Sequence, residues 1–326
     1  MAKRRHWIEQ LAHVELLTPR PEESLRFFRD LLGLEVTAEQ GDSVYLRGWG
    51  EWFHHTVKLT AAKEAGVGHG AWRVESEGDL EEAARFLEAK GLGVGWVEEG
   101  DLGQGRTYCF RTPDGHQGEL FYEVAYFQPP PEKKPALKNR PQKRPYRGVD
   151  VRRIDHLNLF ASDPTPCREL FQELGFKWHE GLWVQGQVEI GAWMAVSNLS
   201  HDLAFMRDPT GAKGRLNHLA LWVDTEAEVV RAAELLREAG VFIEYGPGRH
   251  GISEAFFLYV YEPGGNRIEI FSGGYLNFNS DWGPILWEFE DLAERAIATA
   301  VVGGPPPDSL FAYGTPAIPP EAIPQP

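Results

Sequence analysis

The sequence predicts an α+β protein in which four βαβββ units pair into two cupped sheets with helices outside. Three observations carry this: strand-then-helix patterns recur four times, a proline-rich break separates two superimposable halves, and short aromatic strands with glycine or proline punctuation follow each helix. In the first unit LAHVELLT precedes PEESLRFFRDLLGLEV. Its Leu25, Phe28 and Leu32 fall at i, i+3 and i+7, with Pro21 near the start of the helix and Gly33 just past its end. The second unit is GHGAWRVESEGDLEEAARFLEAKGLGV. After the break, IDHLNLFA with PTPCRELFQELGFKW repeats the first unit, and NHLALWVDTEAEVVRAAELLREAGVFI repeats the second. SVYLRGWG, HHTVKLT, RTYCFRTPDG and AFFLYVYEPGG supply the strands that follow. A helix of about 12 residues cannot bury its apolar stripe alone, so units pair with helices outside and a concave sheet face within each half. Such a face gathers residues from distant strands.

Four segments are expected: a first domain at 1–127, a proline-rich basic linker at 128–150, a second domain at 151–271, and a helix with a proline-rich tail at 272–326. The helix is expected within WGPILWEFEDLAERAIATAVV, and the tail is expected to pack on its own domain or on a neighbouring subunit. The linker, EKKPALKNRPQKRPYR at 132–147, reads as a connector lying on an acidic surface.

Composition excludes several classes. A net charge of −15 opposes association with nucleic acid or anionic lipid. No run approaches the roughly 18 apolar residues of a spanning helix, and no signal-peptide core follows the basic start MAKRRHWIEQ, so a soluble, cytoplasmic protein is expected. Cys109 and Cys167 lack the spacing of a zinc site or a disulfide framework and read as buried thiols.

Superposing the halves aligns polar residues in apolar strands: His13 with His156, His69 with His218, and Glu119 with Glu269. The histidines are 56 positions apart in one half and 62 in the other, and the second histidine precedes the glutamate by 50 and 51. A lone strand histidine is ordinarily a core or surface residue. Two histidines and a carboxylate on matching strands are different, because Glu269 between Ile268 and Ile270 needs its charge compensated. A divalent cation shared with two imidazoles does that, and two histidines with one carboxylate leave free the positions used in non-haem iron(II) oxygen chemistry.

With these residues placed, the chain resembles the vicinal oxygen chelate superfamily, with its glyoxalase-like fold, and within it the two-domain type I extradiol dioxygenases of the catechol 2,3-dioxygenase and homoprotocatechuate 2,3-dioxygenase type. The resemblance runs to about Phe271 and rests on GPGRHGISEAFFLYVYEPGGNRIEIF (246–271), IDHLNLF, SHDLAF and GRLNHLALWV, in the family's order. It implies that His156, His218 and Glu269 bind Fe(II), with Mn(II) as the alternative, and that O2 is the co-substrate. It further implies that His201 faces the oxygen position as acid and base, that His250 and Tyr259 contact the bound catecholate, and that Asn158 and Trp193 lie on the substrate side. Tyr245 and Arg295 fall where relatives that take carboxylated side chains place arginines, so Arg295 is a further substrate-binding candidate. The implied reaction is ring opening beside the diol of a catechol or alkylcatechol to a 2-hydroxymuconic semialdehyde in aromatic catabolism, with 3,4-dihydroxyphenylacetate as the alternative substrate. Family members are commonly tetramers, so a homotetramer is expected.

The chemistry needs these residue types. A catechol must lose a proton to chelate a metal, and O–O cleavage needs a proton returned, which suits a nearby histidine; donors beside the chelated oxygen stabilise its charge. The first half keeps His13, His69 and Glu119, and His55 mimics His201, but Gly100 and Cys109 fall where His250 and Tyr259 stand. That half is therefore expected to be a non-catalytic relic. The rivals are a non-catalytic small-molecule-binding protein on the same repeat and a glyoxalase-type isomerase. The first needs no triad, and the second usually has two carboxylates among four ligands.

Overall fold

The structure, a computed structural model, describes residues 6–279 and 281–318, so the basic start at 1–5, residue 280 and the tail's end at 319–326 lie outside the described residues. The expected four units are present. The first half runs β1 (Ile8–Thr18), α1 (Pro21–Arg26), β2 (Glu35–Gln40), β3 (Ser43–Arg47), β4 (Val57–Ala61), then β5 (Gly66–Val74), α2 (Glu77–Ala89), β6 (Gly93–Val97), β7 (Thr107–Arg111), β8 (Gln117–Phe121). The second runs β9 (Arg153–Ala161), α3 (Pro164–Leu174), β10 (Lys177–Val184), β11 (Val188–Ala195), β12 (Leu203–Arg207), then β13 (Arg215–Trp222), α4 (Glu226–Glu238), β14 (Ile243–Arg249), β15 (Ala255–Tyr261), β16 (Arg267–Gly273). The sheets are ordered β2-β3-β4-β1-β5-β8-β7-β6 and β14-β15-β16-β13-β9-β12-β11-β10, the second extended at its β10 edge by β17 (Ile285–Glu288). The first strands of paired units meet antiparallel at each centre, β1 with β5 and β9 with β13.

Helix burial follows the sequence periodicity. In α2 the buried residues are Leu80, Ala83, Ala84 and Leu87, and in α4 they are Val229, Ala232, Ala233 and Leu236, the same i, i+3, i+4, i+7 stripe. Thr225 and Glu228 close a capping box at the start of α4. α1 is short and continues into a single π turn, Phe27–Leu31, after which Gly33 takes φ +84° with its α-carbon against the Arg147 carbonyl. A side chain there would meet that carbonyl at 2.3 Å.

Strand alternation sorts the sheet faces. Val14, Leu16, Leu219, Leu221, Ile268 and Ile270 point into the helix-covered core, which puts His13, His218 and Glu269 on the opposite, cupped face. That core is continuous between halves: Phe171 of α3 packs against Trp72 of β5 at 5.1 Å between ring centroids and against Phe205 at 5.7 Å.

Three expectations need correction. The segment after the repeat begins with β17, paired parallel to β10, before helix α5 (Leu292–Thr299). The open β10 edge offers backbone partners, and Trp287 Nε1–H donates to Glu180 Oε2 at 2.7 Å. The second repeat runs past Phe271, because β16 continues to Gly273 opposite Ala255. Cys167 is buried but Cys109 is only half-buried, at the β7 position that faces Glu119. The basic linker does lie on acidic groups: Lys133 reaches Glu35, and Arg144 bonds Asp150, Asp224 and Glu228. The described part of the tail packs on its own half, where a short helix α6 (Asp308–Ala312) leads to Thr315, which pairs with Leu216. Among the described residues no helix is long and apolar enough to cross a membrane.

Candidate metal centre and active site

The ligand set of the second half assembles where three strands pass side by side. Glu269 lies in register with Ala220 of β13 and with Tyr259 of β15, and His218 lies opposite Asn158 of β9. Irregularities interrupt the β9–β13 ladder on either side of this register, between Leu216 and His218 and between Leu219 and Leu221. Such bulges re-aim side chains: they let Asn217 and Asp155, each a sequence neighbour of a ligand, reach back to the histidine beside it.

Those neighbours fix the imidazoles. His156 Nδ1 lies 3.0 Å from Asp155 Oδ2, and His218 Nδ1 lies 2.7 Å from Asn217 Oδ1, an oxygen that also accepts from Arg267. Both partners are acceptors, so each Nδ1 carries hydrogen and each neutral ring presents its lone pair at Nε2. The two Nε2 atoms face each other at 3.0 Å and lie 3.1 and 3.2 Å from Glu269 Oε2. All three residues are buried, and neither Glu269 oxygen meets hydrogen-bond geometry with any partner. Three converging lone pairs of this kind require positive charge at their centre, so the donor set fits a divalent cation.

Without a metal, a proton plays that part. Burial would lower the His156 ring, yet the Asp155 and Glu269 carboxylates beside it outweigh burial and hold it at about 9. Burial leads at His218 and brings it to about 4. For Glu269 burial is opposed and outweighed by His156 and His218, which keep the carboxylate ionised well below its usual range.

The remaining predicted residues ring the same place. His201 is buried with its ring 4.1 Å from that of His156, and burial, reinforced by His156, keeps it neutral far below its ordinary value. His250 Nδ1–H donates to the Thr299 carbonyl at the end of α5 (2.6 Å), which leaves Nε2 to accept from the Tyr259 hydroxyl at 3.0 Å. Burial, with Glu269 adjacent, raises the Tyr259 phenol well above its ordinary value, so it is a donor at neutral pH. These side chains open onto a cavity whose lining includes Asn158 and Trp193 and apolar walls from Leu182, Met206, Ile252 and Phe271.

Arg295 is a correction. It is absent from that lining; its guanidinium sits 4.8 Å over the Phe289 ring and borders a separate surface pocket. α5 turns Ala298 and Thr299 toward the cavity instead, one helical turn on from Arg295. Tyr245 also faces elsewhere, donating to the Gly304 carbonyl. Sequence reasoning missed Asp155 and Asn217, and it missed Leu310 and Phe311 of α6, which wall the cavity. The dipeptides Asp155-His156 and Asn217-His218 were a visible signal for the first pair; no motif marked the second.

In the first half His13 and His69 face each other through Nε2 at 2.9 Å, as the frame of the repeat requires. His55 stands 4.5 Å from His13, in the relation His201 bears to His156. Glu119 is 3.8 Å from His69, and Asp101, from the β6–β7 loop, joins them.

Comparison with known proteins places these features in a wider group. The family described as the Glyoxalase/Bleomycin resistance protein/Dioxygenase superfamily matches residues 10–120 and 153–270. A metapyrocatechase of Geobacillus stearothermophilus is 47% identical over 97% of this chain and 96% of its own length. A manganese-dependent 2,3-dihydroxybiphenyl 1,2-dioxygenase of Geobacillus genomosp. 3 is 45% identical over 89% of this chain and 93% of its own. The crystal structure of homoprotocatechuate 2,3-dioxygenase from Arthrobacter globiformis superposes with a TM-score of 0.84 at 27% identity, covering 96% of this chain and 94% of that one.

Proposed function

Since the chain belongs to the glyoxalase, bleomycin resistance protein and dioxygenase superfamily and is an extradiol dioxygenase of its metapyrocatechase branch, we propose that it cleaves catechol or an alkylcatechol beside the diol, giving a 2-hydroxymuconic semialdehyde. The observation that carries this is the convergence of His156 Nε2, His218 Nε2 and the Glu269 carboxylate on one point at the floor of a cavity ringed by His201, His250 and Tyr259. The cofactor is a non-haem divalent metal, iron(II) or manganese(II), with O2 as co-substrate. Those three side chains would hold such an ion, which would supply a Lewis-acid and redox centre for the diol and dioxygen.

The protein's own groups do the rest. His201, neutral and buried, accepts the proton that the diol loses and returns it for O–O cleavage. Tyr259, whose single hydroxyl hydrogen goes to His250 Nε2 in the free site, turns it to the substrate oxygen beside Glu269 when substrate is bound, while the Thr299 carbonyl keeps His250 in place. Trp193 and the apolar walls orient the ring and exclude water, and Asn158 stands beside His218 with its side-chain oxygen unpartnered.

Substrate choice follows from charge. Among the described residues no Arg or Lys lines the cavity, so a carboxylated side chain finds no counter-ion, which favours catechol over 3,4-dihydroxyphenylacetate. A glyoxalase-type isomerase fits less well, because this centre offers one carboxylate. The reading places turnover in the second domain (151–271), with the first (1–127) non-catalytic, in a cytoplasmic homotetramer. Exposed apolar side chains after the repeat, Phe278 at 72% and Trp282 and Leu286 each at 54%, support an assembly face, and the mass in solution checks it.

Anaerobically purified protein given iron(II), catechol and then oxygen is expected to form a yellow ring-fission product, with kcat/KM for catechol at least about tenfold above that for 3,4-dihydroxyphenylacetate. No product with iron(II) or manganese(II) defeats the reading, and a reversed preference defeats the substrate assignment.

A further inference from the structure

We propose that His13, His69, Asp101 and Glu119 form a second divalent-metal site in the first half, one whose four donors all come from the protein and which takes no part in ring cleavage.

The four residues place one ligand atom each within 4.8 Å of all the others. His13 Nε2 and His69 Nε2 lie 2.9 Å apart, and Asp101 Oδ2 stands 3.2 and 3.3 Å from them. His69 Nδ1–H is committed to Glu15 Oε2 at 3.0 Å, so the ring, once neutral, would direct its lone pair at the cluster. Asp101 Oδ1 takes the Lys58 ammonium at 2.7 Å, which leaves Oδ2 for the centre. That buried Oδ2 finds no partner of hydrogen-bond geometry despite two nitrogens within reach, the condition also seen at Glu269 in the catalytic half. Glu119 Oε2 lies 3.8 Å from His69 Nε2, steadied by Gln104 at 3.2 Å.

Charge points the same way. Glu15, Asp101 and Glu119 surround the two histidines, and Lys58 offsets only one of them. With neutral imidazoles the deficit is two charges, which a divalent cation balances.

The difference between the halves explains why this site would not turn over a substrate. In the second half the loop between β14 and β15 sends His250 to the substrate side; in the first the equivalent loop, between β6 and β7, sends Asp101 to the centre. A fourth protein donor occupies the side that catalysis needs open. Two imidazoles and two carboxylates suit a borderline ion such as zinc. The ion would tie β1, β5 and β8 to the β6–β7 loop.

Zinc binding tests this separately from ring cleavage. In the full-length His218→Ala chain, stripped with chelator, given zinc ion and passed through a desalting column, about one zinc per chain should remain by plasma emission and the melting temperature should rise by roughly 5 °C. Adding Asp101→Asn or His69→Ala should reduce the retained zinc to below about a tenth per chain. Should His218→Ala fail to fold, Glu269→Gln replaces it, and the unaltered chain should hold about one zinc more than Asp101→Asn. X-ray absorption at the zinc edge should show two imidazole nitrogens with oxygen donors. Zinc content near zero in the folded His218→Ala protein overturns the proposal, as does zinc that persists undiminished after both first-half substitutions. Because no step depends on turnover, a failure here leaves the catalytic reading standing, and the reverse.

Discussion

His201 touches His156 ring to ring, yet it belongs to none of the ligand contacts at Glu269, so its removal should separate chemistry from metal binding. His201→Phe is expected to lower kcat by about 10²- to 10⁴-fold with metal content unchanged; a variant that loses its metal, or that keeps its rate, contradicts the acid–base role. Asp155 and Asn217 should behave in the opposite sense. Asp155→Ala or Asn217→Ala frees an imidazole to rotate, and metal affinity should fall about 10- to 100-fold in a competition titration. The pH dependence follows from His156. Its metal-free ring stays protonated up to about 9, so a metal must displace that proton at neutral pH. Affinity should therefore rise about tenfold per pH unit from 7 to 9, with about one proton released per ion at pH 7. An affinity flat over that window would mean that His156 is already neutral there. The cluster of His156, His218 and Glu269 was legible in the sequence because two repeats showed its pattern twice. Asp155 and Asn217 showed only as neighbours of those histidines, because strand neighbours normally point to opposite faces and only the bulges bring them round. Asp101 escaped because the repeat frame put Gly100 opposite His250, and the frame is loosest in loops.

Among the elements, the four βαβββ units were readable from periodicity, caps and glycine stops, all of which are local. β17 was not. ILWE is followed by an amphipathic run, and only the open edge of β10, a long-range fact, turns it into a strand before α5 begins. The same limit applied to α6, whose sequence, DSLFA, carries no sign that Leu310 and Phe311 would close the cavity. Their apolar contact makes a prediction about substrate binding. Phe311→Ala removes one wall without touching the metal or His201, so KM for catechol should rise about tenfold with kcat within about twofold. A fall in kcat with KM unchanged would show that α6 acts on the chemistry, and no change in either would show that it does not face bound substrate.

Across the whole molecule, the repeat suggested two domains, and the packing joins them through one core. Phe171 sits between Trp72 of one half and Phe176 and Phe205 of the other. Polar ties cross as well: Ser24 to Glu262, Ser162 to Asp114, and Asn266 to the Leu17 carbonyl. A core that belongs to both halves cannot be opened on one side without exposing the other, so unfolding should be a single cooperative event. Calorimetry of the manganese-loaded chain should then give one peak, shifted upward as a whole relative to chelator-treated protein, since an ion held by His156, His218 and Glu269 stabilises everything that unfolds with them. Phe171→Ala should cost about 3–5 kcal/mol and broaden or split that peak, because it removes the ring through which the halves share a core. Two resolved transitions in the unaltered protein, only one of them responding to manganese, would mean that the halves melt independently and that the shared core contributes contact without cooperativity.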